Sequence, residues 1–438
     1  MLKKYTNVNI YYIMNVDKIV WNMIDTYFKD NPNYLVKHQT DSYDLFLKEG
    51  ISQIFREKNP IKIMKGQDPE TMKFANVCEI YLGGKKGDKI YYGKPIIYDD
   101  DGKKHFMFPN EARLRNMSYG FTIHYDVDVD FTMQNEEEPD EPIKTSITLE
   151  KILLGRFPIM LQSSVCILKN LSREARFNMG ECRNDPGGYF IIDGKEKSIV
   201  CQEKFADNTI YIRDKVNDLY SHSAEIRSVA EDTSKPIRTV AVRIVSSIAT
   251  KRNENIVVNV PNVRKPVPLF IVMRALGVIS DKDIIKYCLL DLQKNEHMVD
   301  LFIPSIYDAG EVFSQKSALK YISTLTKGKT IEHVYEILMN YFLPHISITN
   351  LELKAYFLGY LVFRLLKVYN KEEKATDRDN FKYKRVELSG SLIHELFTEY
   401  FKLQHSNIFL KIDSEYNYHK GTYEKIFIAL IENNYQEF

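Results

Sequence analysis

The sequence predicts an α+β fold with at least two modules, because the spacing of its apolar residues changes along the chain. Apolar residues recur at helical spacing over residues 17–56. Runs that alternate between apolar and polar residues, typical of strands, occupy residues 74–131 and 222–260. Helical spacing returns from residue 268 onward. Strands and helices that come in blocks, rather than in strict alternation, favour an α+β architecture.

The N-terminal half begins with predicted helices, since Ile19, Met23 and Phe28 fall at helical spacing. The strand block that follows has three strong runs, at residues 79–82, 89–92 and 121–131. A glycine-rich segment, residues 83–87, separates the first two runs. It lacks the GK[ST] ending and the following helix of a phosphate-binding loop, so we predict a hairpin turn there.

The middle of the chain mixes short elements with turns. Residues 135–142 hold five acidic residues and two prolines, which predicts a solvated loop. A compact strand–turn–strand is predicted around Asp193–Gly194. Residues 240–245 and 256–260 are rich in β-branched side chains and are predicted to be strands.

The C-terminal half is predicted to be mainly helical. Val334, Ile337 and Leu338 form one apolar face of a helix that Pro344 ends. Three further segments follow in order, namely a helix over residues 351–368, a charged linker over 369–385 and a helix over 392–410.

Composition excludes several classes of protein. Sixty Lys and Arg residues against 59 Asp and Glu residues leave a net charge of +1, and 44% of residues are hydrophobic, which excludes global disorder. The five cysteines are odd in number and form no CxxC pair, so neither a zinc ribbon nor a secreted disulfide framework is indicated. Residues 267–279, the most apolar stretch, are too few to span a membrane. We therefore expect an intracellular protein without a membrane partner.

Three aspartates, Asp126, Asp128 and Asp130, alternate with valines, which places their side chains on one face of a strand. Three carboxylates are a possible magnesium site. Magnesium ligands usually come from loops that bend around the ion, so we favour a half-buried strand with an acidic, solvated face. No histidine or cysteine has metal-ligand spacing, and no serine or cysteine stands in a nucleophile motif. The sequence predicts neither catalytic residues nor metal ligands.

Two basic clusters are candidates for binding nucleic acid. Residues 364–385 hold eight basic and four acidic residues, with Phe381 and Tyr383 among them. Residues 251–265 hold four basic residues and Glu254. Basic residues mixed with aromatic ones can contact phosphates and stack on bases. Charge alone does not separate this interpretation from that of an ordinary solvated surface.

Residues 180–203 read GECRNDPGGYFIIDGKEKSIVCQE. This segment resembles a GGYFIING-x-EK-x-x-x-x-QE stretch in the second-largest subunit of multisubunit DNA-directed RNA polymerases. Other segments resemble that family in the same order, including HQTDSYDLF (38–46), FPNEARLRNMS (108–118), GRFPIML (155–161), AEIRSV (224–229), PLFIVMRALGVI (268–279), FLPH (342–345), KAYFLGYLVFRLL (354–366) and DRDNFKYKRVELSG (377–390). The resemblance covers about residues 17–405 and fits the eukaryotic, archaeal and large-DNA-virus branch better than the bacterial one.

The resemblance implies an architecture of two domains. The family's protrusion domain would comprise residues 1–215 and, after an interruption, residues 377–438. The lobe domain would be inserted between them as residues 216–376. Family members are more than twice as long as this chain, so it resembles either a portion of a longer subunit or one part of a naturally split subunit.

The resemblance also implies a function. The chain would form one wall of the cleft that holds DNA and the RNA–DNA hybrid in a nucleotidyltransferase, and would be inactive alone. Its implied partners are the largest subunit, the remainder of the second-largest subunit, other polymerase subunits, DNA and the hybrid. It would bind no cofactor itself, and Mg²⁺ would lie on other subunits or segments. The alternative is a free-standing, non-catalytic module that docks on polymerase subunits or transcription factors.

The richness in Lys, Asn, Ile and Tyr suits an AT-rich large DNA virus, whose polymerase would lie in the cytoplasm or virion. The sequence does not otherwise decide between nucleus and cytoplasm.

The resemblance assigns the nucleic-acid contacts. Lys197 matches a residue near the hybrid, and Gln202 matches a glutamine on the same wall. Lys195 points the same way as Lys197 in an extended strand, with Glu196 opposite. Lys384 and Arg385 are weaker candidates, since they would alternatively pair with Asp377 or Asp379 to brace the return into the first domain.

Overall fold

The computed structural model describes residues 2–67, 74–98, 101–134, 142–231, 237–247, 254–423 and 426–434, with side chains from residue 16 onward. Most of the predicted acidic loop and the first bases of the 251–265 cluster lie outside the described residues. The chain divides into two compact units. Unit 1 comprises Met1–Gln202 and Val386–Phe438, and unit 2 comprises Glu203–Arg385.

The N-terminal segment of unit 1 is helical before it turns to strands, as predicted. The first helices are α1 (Leu2–Asp30), α2 (Tyr34–Leu45) and α3 (Ile51–Lys58), with a π-helical turn (Phe46–Gly50) between α2 and α3. Two short helices, α4 (Pro109–Leu114) and α5 (Arg173–Asn178), come later, among the strands. The strands up to the first chain crossing are β1 (Ile61–Gln67), β2 (Phe74–Leu82), β3 (Ile90–Tyr92), β4 (Ile96–Tyr98), β5 (Lys104–Phe106), β6 (Gly120–Met133), β7 (Ile143–Pro158), β8 (Phe190–Ile192), β9 (Lys195–Lys197) and β10 (Gln202–Phe205).

A five-stranded antiparallel sheet forms the centre of unit 1. Strand β6 pairs with β2 and β3 and with β7, and β1 pairs with β2. Because side chains alternate along a strand, Ile80 and Val129 face the core as paired residues, while the neighbouring pair of Tyr81 and Asp128 faces the other way. The predicted alternation of residues 121–131 is thus confirmed.

The prediction of a hairpin at residues 83–87 is wrong. Leu82 pairs with Val127 and Ile90 pairs with Tyr125, so β2 and β3 run in the same direction along one strand. The glycine-rich segment is a loop that connects β2 to β3, and both strands pair with β6. A hairpin would have required β2 and β3 to pair with each other.

The return segment of the chain completes the core of unit 1. Strand β16 (Lys384–Glu387) leads into the long helix α12 (Ser389–Tyr418), which is followed by α13 (Lys420–Tyr423) and α14 (Ala429–Glu432). Helix α12 packs against α2 and β1, and Phe401 lies edge-on to Phe55 with ring centroids 4.7 Å apart. The buried side chains of residues 43–191 and 401–431 therefore form one core.

Unit 2 combines a second antiparallel sheet with a helical layer. The sheet has the order β11 (Ile210–Asp214), β12 (Tyr220–Ser228), β13 (Arg238–Val245), β14 (Ile256–Asn259) and β15 (Val267–Pro268). The helices are α6 (Leu269–Ala275), α7 (Asp281–Leu289), α8 (Ile303–Asp308), α9 (Gln315–Thr324), α10 (Ile331–Glu336) and α11 (Leu351–Tyr369), with 3-10 turns at Glu296–Phe302 and Phe381–Tyr383 and a π-helical turn at Ile337–Tyr341.

Helix α11 packs on the sheet of unit 2 through β11 and β12 and on α7. The predicted apolar face of Val334, Ile337 and Leu338 is fully buried. The helical run ends at Tyr341, three residues before Pro344, as expected from the missing proline N–H. The chain passes from one unit to the other twice, in β10 and in β16. These two strands pair with each other as a two-stranded sheet.

Candidate nucleic-acid interface

The predicted strand–turn–strand at residues 190–197 is a tight β-hairpin. Phe190 pairs with Lys197 and Ile192 pairs with Lys195 across the turn. The two turn residues, Asp193 and Gly194, have φ values of 50° and 74°. Positive φ at both positions is characteristic of the type I′ turn, which matches the twist of a two-residue hairpin and favours an Asp–Gly pair.

The segment between α4 and β6 holds this hairpin in place. Ser118 and Asp193 exchange hydrogen bonds, at 3.0 Å from the Ser118 Oγ to the carboxylate and at 3.1 Å from the Asp193 N–H to the same Oγ. The Gly194 N–H donates to the Met117 carbonyl, and the Tyr119 N–H donates to the Ile191 carbonyl. The turn and one strand are thus fixed by backbone contacts.

Arg113, on α4, connects the hairpin to a buried carboxylate. Its Nη1 donates to both Glu181 oxygens, at 3.0 and 2.8 Å, and its Nε donates to Glu196 Oε1 at 2.7 Å. Its Nη2 donates to the Tyr189 hydroxyl at 2.8 Å. Burial by itself lowers the pKa of the Arg113 guanidinium, but hydrogen bonding and charge from Glu181 outweigh this effect and raise the pKa. The guanidinium is therefore a permanent cation with all three nitrogens occupied.

Lys195 and Lys197 lie on the face of the hairpin opposite Glu196. All three residues of β9 are exposed. Neither lysine has a hydrogen bond or ion pair to any described residue, whereas Glu196 is paired with Arg113. The lysine face therefore carries two free cations, and the neighbouring carboxylate is already paired with Arg113, which suits contact with a phosphate backbone.

Lys197 also borders an apolar groove of about 710 Å³ in unit 1. The groove is lined by side chains such as Phe190, Phe397 and Tyr400, and none of its described lining residues is acidic. A lysine can cover apolar surface with its stem and keep the ammonium in water. Lys197 therefore has both an apolar support for its stem and a free charge at its end.

Gln202 lies at the start of β10 and is exposed. Its side-chain amide donates to the Val200 carbonyl at 3.2 Å. The irregular segment before it is held by Gln39, whose amide donates to the Ile199 carbonyl and to the Cys201 sulfur. Gln202 thus extends from a fixed backbone, and its amide oxygen has no donor among the described residues.

Lys384 and Arg385 lie in unit 2, and both side chains donate hydrogen bonds within the protein. The Lys384 ammonium donates to Glu203 Oε1 at 2.6 Å and lies 4.1 Å from the centroid of the Phe205 ring. The Lys384 side chain is only 11% exposed. The Arg385 guanidinium donates to the carbonyls of residues 382 and 384. Lys384 therefore connects β16 to β10, as a bracing residue would, but its partner is Glu203 and not the expected Asp377 or Asp379.

The three aspartates of β6 are bound by neighbouring side chains and backbone. Asp128 accepts hydrogen bonds from Lys89 and Thr148, at 2.8 and 2.9 Å. Burial alone would raise the pKa of Asp128, but these hydrogen bonds outweigh it and hold the pKa below its usual value. The other two carboxylates are bound in the same way, Asp126 by Tyr91 and the Lys151 N–H, and Asp130 by Lys85 and Ser146. Among the described residues, no group of three His, Cys, Asp or Glu side chains is arranged to hold a metal ion.

Comparison with known proteins decides the family. The family model described as RNA polymerase beta subunit matches residues 34–431. The chain belongs to this RNA polymerase subunit family. The family resemblance read from the sequence motifs is thereby confirmed.

Curated relatives of this polymerase family show which branch the chain is similar to. It is 33% identical over 394 residues to DNA-directed RNA polymerase II subunit 2 of Arabidopsis thaliana, covering 87% of this chain and 33% of the relative. It is 34% identical over 392 residues to subunit RPB2 of Encephalitozoon cuniculi, covering 87% and 32%. It is 29% identical over 390 residues to subunit Rpo2 of Saccharolobus solfataricus, covering 87% and 31%. The chain spans about a third of the length of these relatives.

Sequence reasoning did not identify Arg113 or Glu181. Both lie inside motifs that the polymerase family shares, FPNEARLRNMS and GECRNDPGGYF, but a motif does not show which of its residues meet. No helix among the described residues is long and apolar enough to cross a membrane.

Proposed function

We propose that this chain acts as part of the second-largest subunit of a DNA-directed RNA polymerase and forms one wall of the cleft that holds DNA and the RNA–DNA hybrid. Membership of the family over residues 34–431 supports this role. The observation that carries it is the β8–β9 hairpin, which presents Lys195 and Lys197 as free cations on a fixed support. Transcription takes place inside the cell, so the chain would act there.

The two compact units fit the domains of such a subunit. Unit 1 corresponds to a discontinuous protrusion and unit 2 to an inserted lobe. The boundaries between the two compact units fall after residues 202 and 385, whereas the motifs suggested boundaries after residues 215 and 376. Strand β11 lies between residues 202 and 215 and pairs with β12 in the sheet of unit 2. This pairing supports a boundary after residue 202 rather than after residue 215.

Lys197 would contact a phosphate of the nucleic acid, with Lys195 beside it and Gln202 as a neutral hydrogen-bonding neighbour. Such a contact positions the nucleic acid without reading its sequence. Lys384 and Arg385 would contribute less, because Lys384 is paired and largely buried.

The chain would not perform the nucleotidyl transfer itself. Nucleotidyl transfer by two metal ions needs clustered carboxylates, and the aspartates of β6 are already bound. Mg²⁺ would be held by other segments or subunits.

The proposed partners are the largest subunit, the remainder of the second-largest subunit and the other polymerase subunits. Purification through a tag on this chain tests the assignment. We expect the largest subunit to co-purify in equal amounts, in a complex that lacks any other copy of the 1–438 region. Recovery with a polymerase that already contains a complete second-largest subunit would contradict it and support a free-standing docking module.

A further inference from the structure

We propose that Arg113 is a positioning residue for Lys197 and acts through Glu196. This inference rests on the proposed role of Lys197 as a phosphate contact. Arg113 is 83 residues from Glu196 in the chain but donates its Nε–H directly to that carboxylate at 2.7 Å. The contact joins the shared motif FPNEARLRNMS, at residues 108–118, to the strand that carries both lysines.

Arg113 is a firm point of attachment. Its side chain is 20% exposed and its partner Glu181 is 4% exposed. The two hydrogen bonds from Nη1 to Glu181, and the third to Tyr189, fix the plane of the guanidinium. Tyr189 is in turn held by the Asp185 carboxylate. The Nε–H that reaches Glu196 is thus aimed by a network that does not itself depend on β9.

Strand β9 needs such an attachment. It has three residues and, within the described chain, pairs only with β8. An isolated two-stranded hairpin is marginally stable in water. Successive side chains of a strand point to opposite faces, so holding Glu196 on the Arg113 side holds Lys195 and Lys197 on the other. Loss of the Glu196 contact would leave the turn in place and free the strand to twist.

Positioning and simple charge predict opposite effects when Glu196 is removed. Glu196 is 54% exposed and lies next to Lys197 in the chain. If its charge alone mattered, removing it would relieve repulsion of the phosphate and strengthen binding. If it positions Lys197, removing it weakens binding. Glu196→Gln separates the two effects, because the amide oxygen still accepts the Arg113 Nε–H while the charge is lost.

The test measures the lifetime of elongation complexes of the assembled polymerase over a salt series. Lys197→Ala should shorten the lifetime about tenfold, since a hydrogen bond to a charged group is lost. Glu196→Ala should shorten it about threefold, the range of coupling between neighbouring residues, and Glu196→Gln should stay near the wild type. In the Lys197→Ala background, Glu196→Ala should have no further effect. Each variant's melting temperature checks that the chain remains folded.

The outcomes separate the two claims. A longer or unchanged lifetime with Glu196→Ala, while Lys197→Ala shortens it, overturns the positioning role and leaves the phosphate contact standing. Equal effects of Glu196→Ala in the presence and absence of Lys197 also overturn positioning, because a general loss of structure is additive. A Lys197→Ala complex as long-lived as the wild type overturns the phosphate contact and this inference with it.

Discussion

Gly194 lies against Asn116 so closely that no side chain fits between them. A β carbon built on Gly194 would lie 2.8 Å from the Asn116 Cα and 2.7 Å from its Oδ1. Gly194 also has a φ of 74°, in the left-handed region. The candidate interface therefore depends on glycine at this position both for the turn and for the approach of the hairpin to the end of α4.

We expect Gly194→Ala to lower the free energy of unfolding by about 2–4 kcal/mol, from left-handed strain and overpacking together. Gly102→Ala is a matched control, since Gly102 has a φ of 75° but a β carbon added to it would meet no atom within 4 Å. It should cost only the strain, about 1–2 kcal/mol. Urea unfolding of the two variants in parallel measures the difference, and equal losses would contradict the close approach.

Unit 2 is expected to fold alone if its first strand is included. Ile212 on β11 is buried in the core of unit 2, and its N–H and carbonyl both bond Thr376, after helix α11. A fragment of residues 203–385 should unfold in one cooperative transition. A fragment of residues 216–376 lacks β11 and Thr376 is its last residue, so it should melt at lower temperature or aggregate. Equal melting temperatures by circular dichroism would place the boundary at residue 215 instead.

Lys354 is buried in unit 2, and its ammonium stabilises the end of a helical run. It donates to the carbonyls of Leu338, Met339 and Phe342 at 2.6, 2.7 and 2.7 Å. Lys354→Met should lower the free energy of unfolding by about 3 kcal/mol or more, because three buried carbonyls lose their donor. Lys367→Met, on the same helix, removes an ammonium whose one contact among the described residues is with the Phe363 ring, and should lower the free energy of unfolding by under about 1 kcal/mol. Urea unfolding of the 203–385 fragment measures both variants, and a loss for Lys354→Met as small as that expected for Lys367→Met would show that the buried ammonium is not stabilising.

Acid should destabilise unit 1 through His405. Burial, followed by the nearby Lys58 charge, lowers the pKa of His405 from 6.5 to about 4. The folded state thus favours the neutral imidazole, and the unfolded chain binds more protons between these two values. Stability that is complete above pH 6.5 is lost as the pH falls from 6.5 toward 4. Burial lowers the pKa of other histidines in the same direction, namely His222, His345 and His394.

His405→Gln should therefore flatten the fall in melting temperature between pH 7 and pH 5 without abolishing it. Thermal unfolding of the variant and the wild type at a series of pH values measures this. An identical dependence on pH in both proteins would show that partial burial does not keep His405 neutral in the folded state.

Local signals in the sequence were enough for part of the fold. The Asp193–Gly194 turn was predictable because both residues tolerate positive φ, and helix α11 was predictable from its apolar spacing. Features that depend on distant partners were not. The loop at residues 83–89 is set by the pairing of β2 and β3 with β6, and helix α12 continues to Tyr418, beyond the predicted residue 410.

The candidate site divides in the same way. The common face of Lys195 and Lys197, opposite Glu196, was predictable from strand alternation, whereas the pairing of Lys384 with Glu203 joins residues 181 positions apart. Arg113 meets Glu181 and Glu196 across 68 and 83 residues. Such contacts carry no local periodicity, so the sequence motifs located the region without showing the network inside it.

Site-specific crosslinking from position 197 tests the central claim most directly. A photoreactive amino acid would replace Lys197 in the assembled polymerase, stalled on a template with labelled RNA and DNA. The matched control replaces Lys48, which is 80% exposed and lies elsewhere in unit 1. We expect light to join labelled nucleic acid to the chain from position 197 and not from position 48. Crosslinks from position 197 only to protein, or equal labelling from both positions, would contradict the placement of this hairpin on the wall of the cleft.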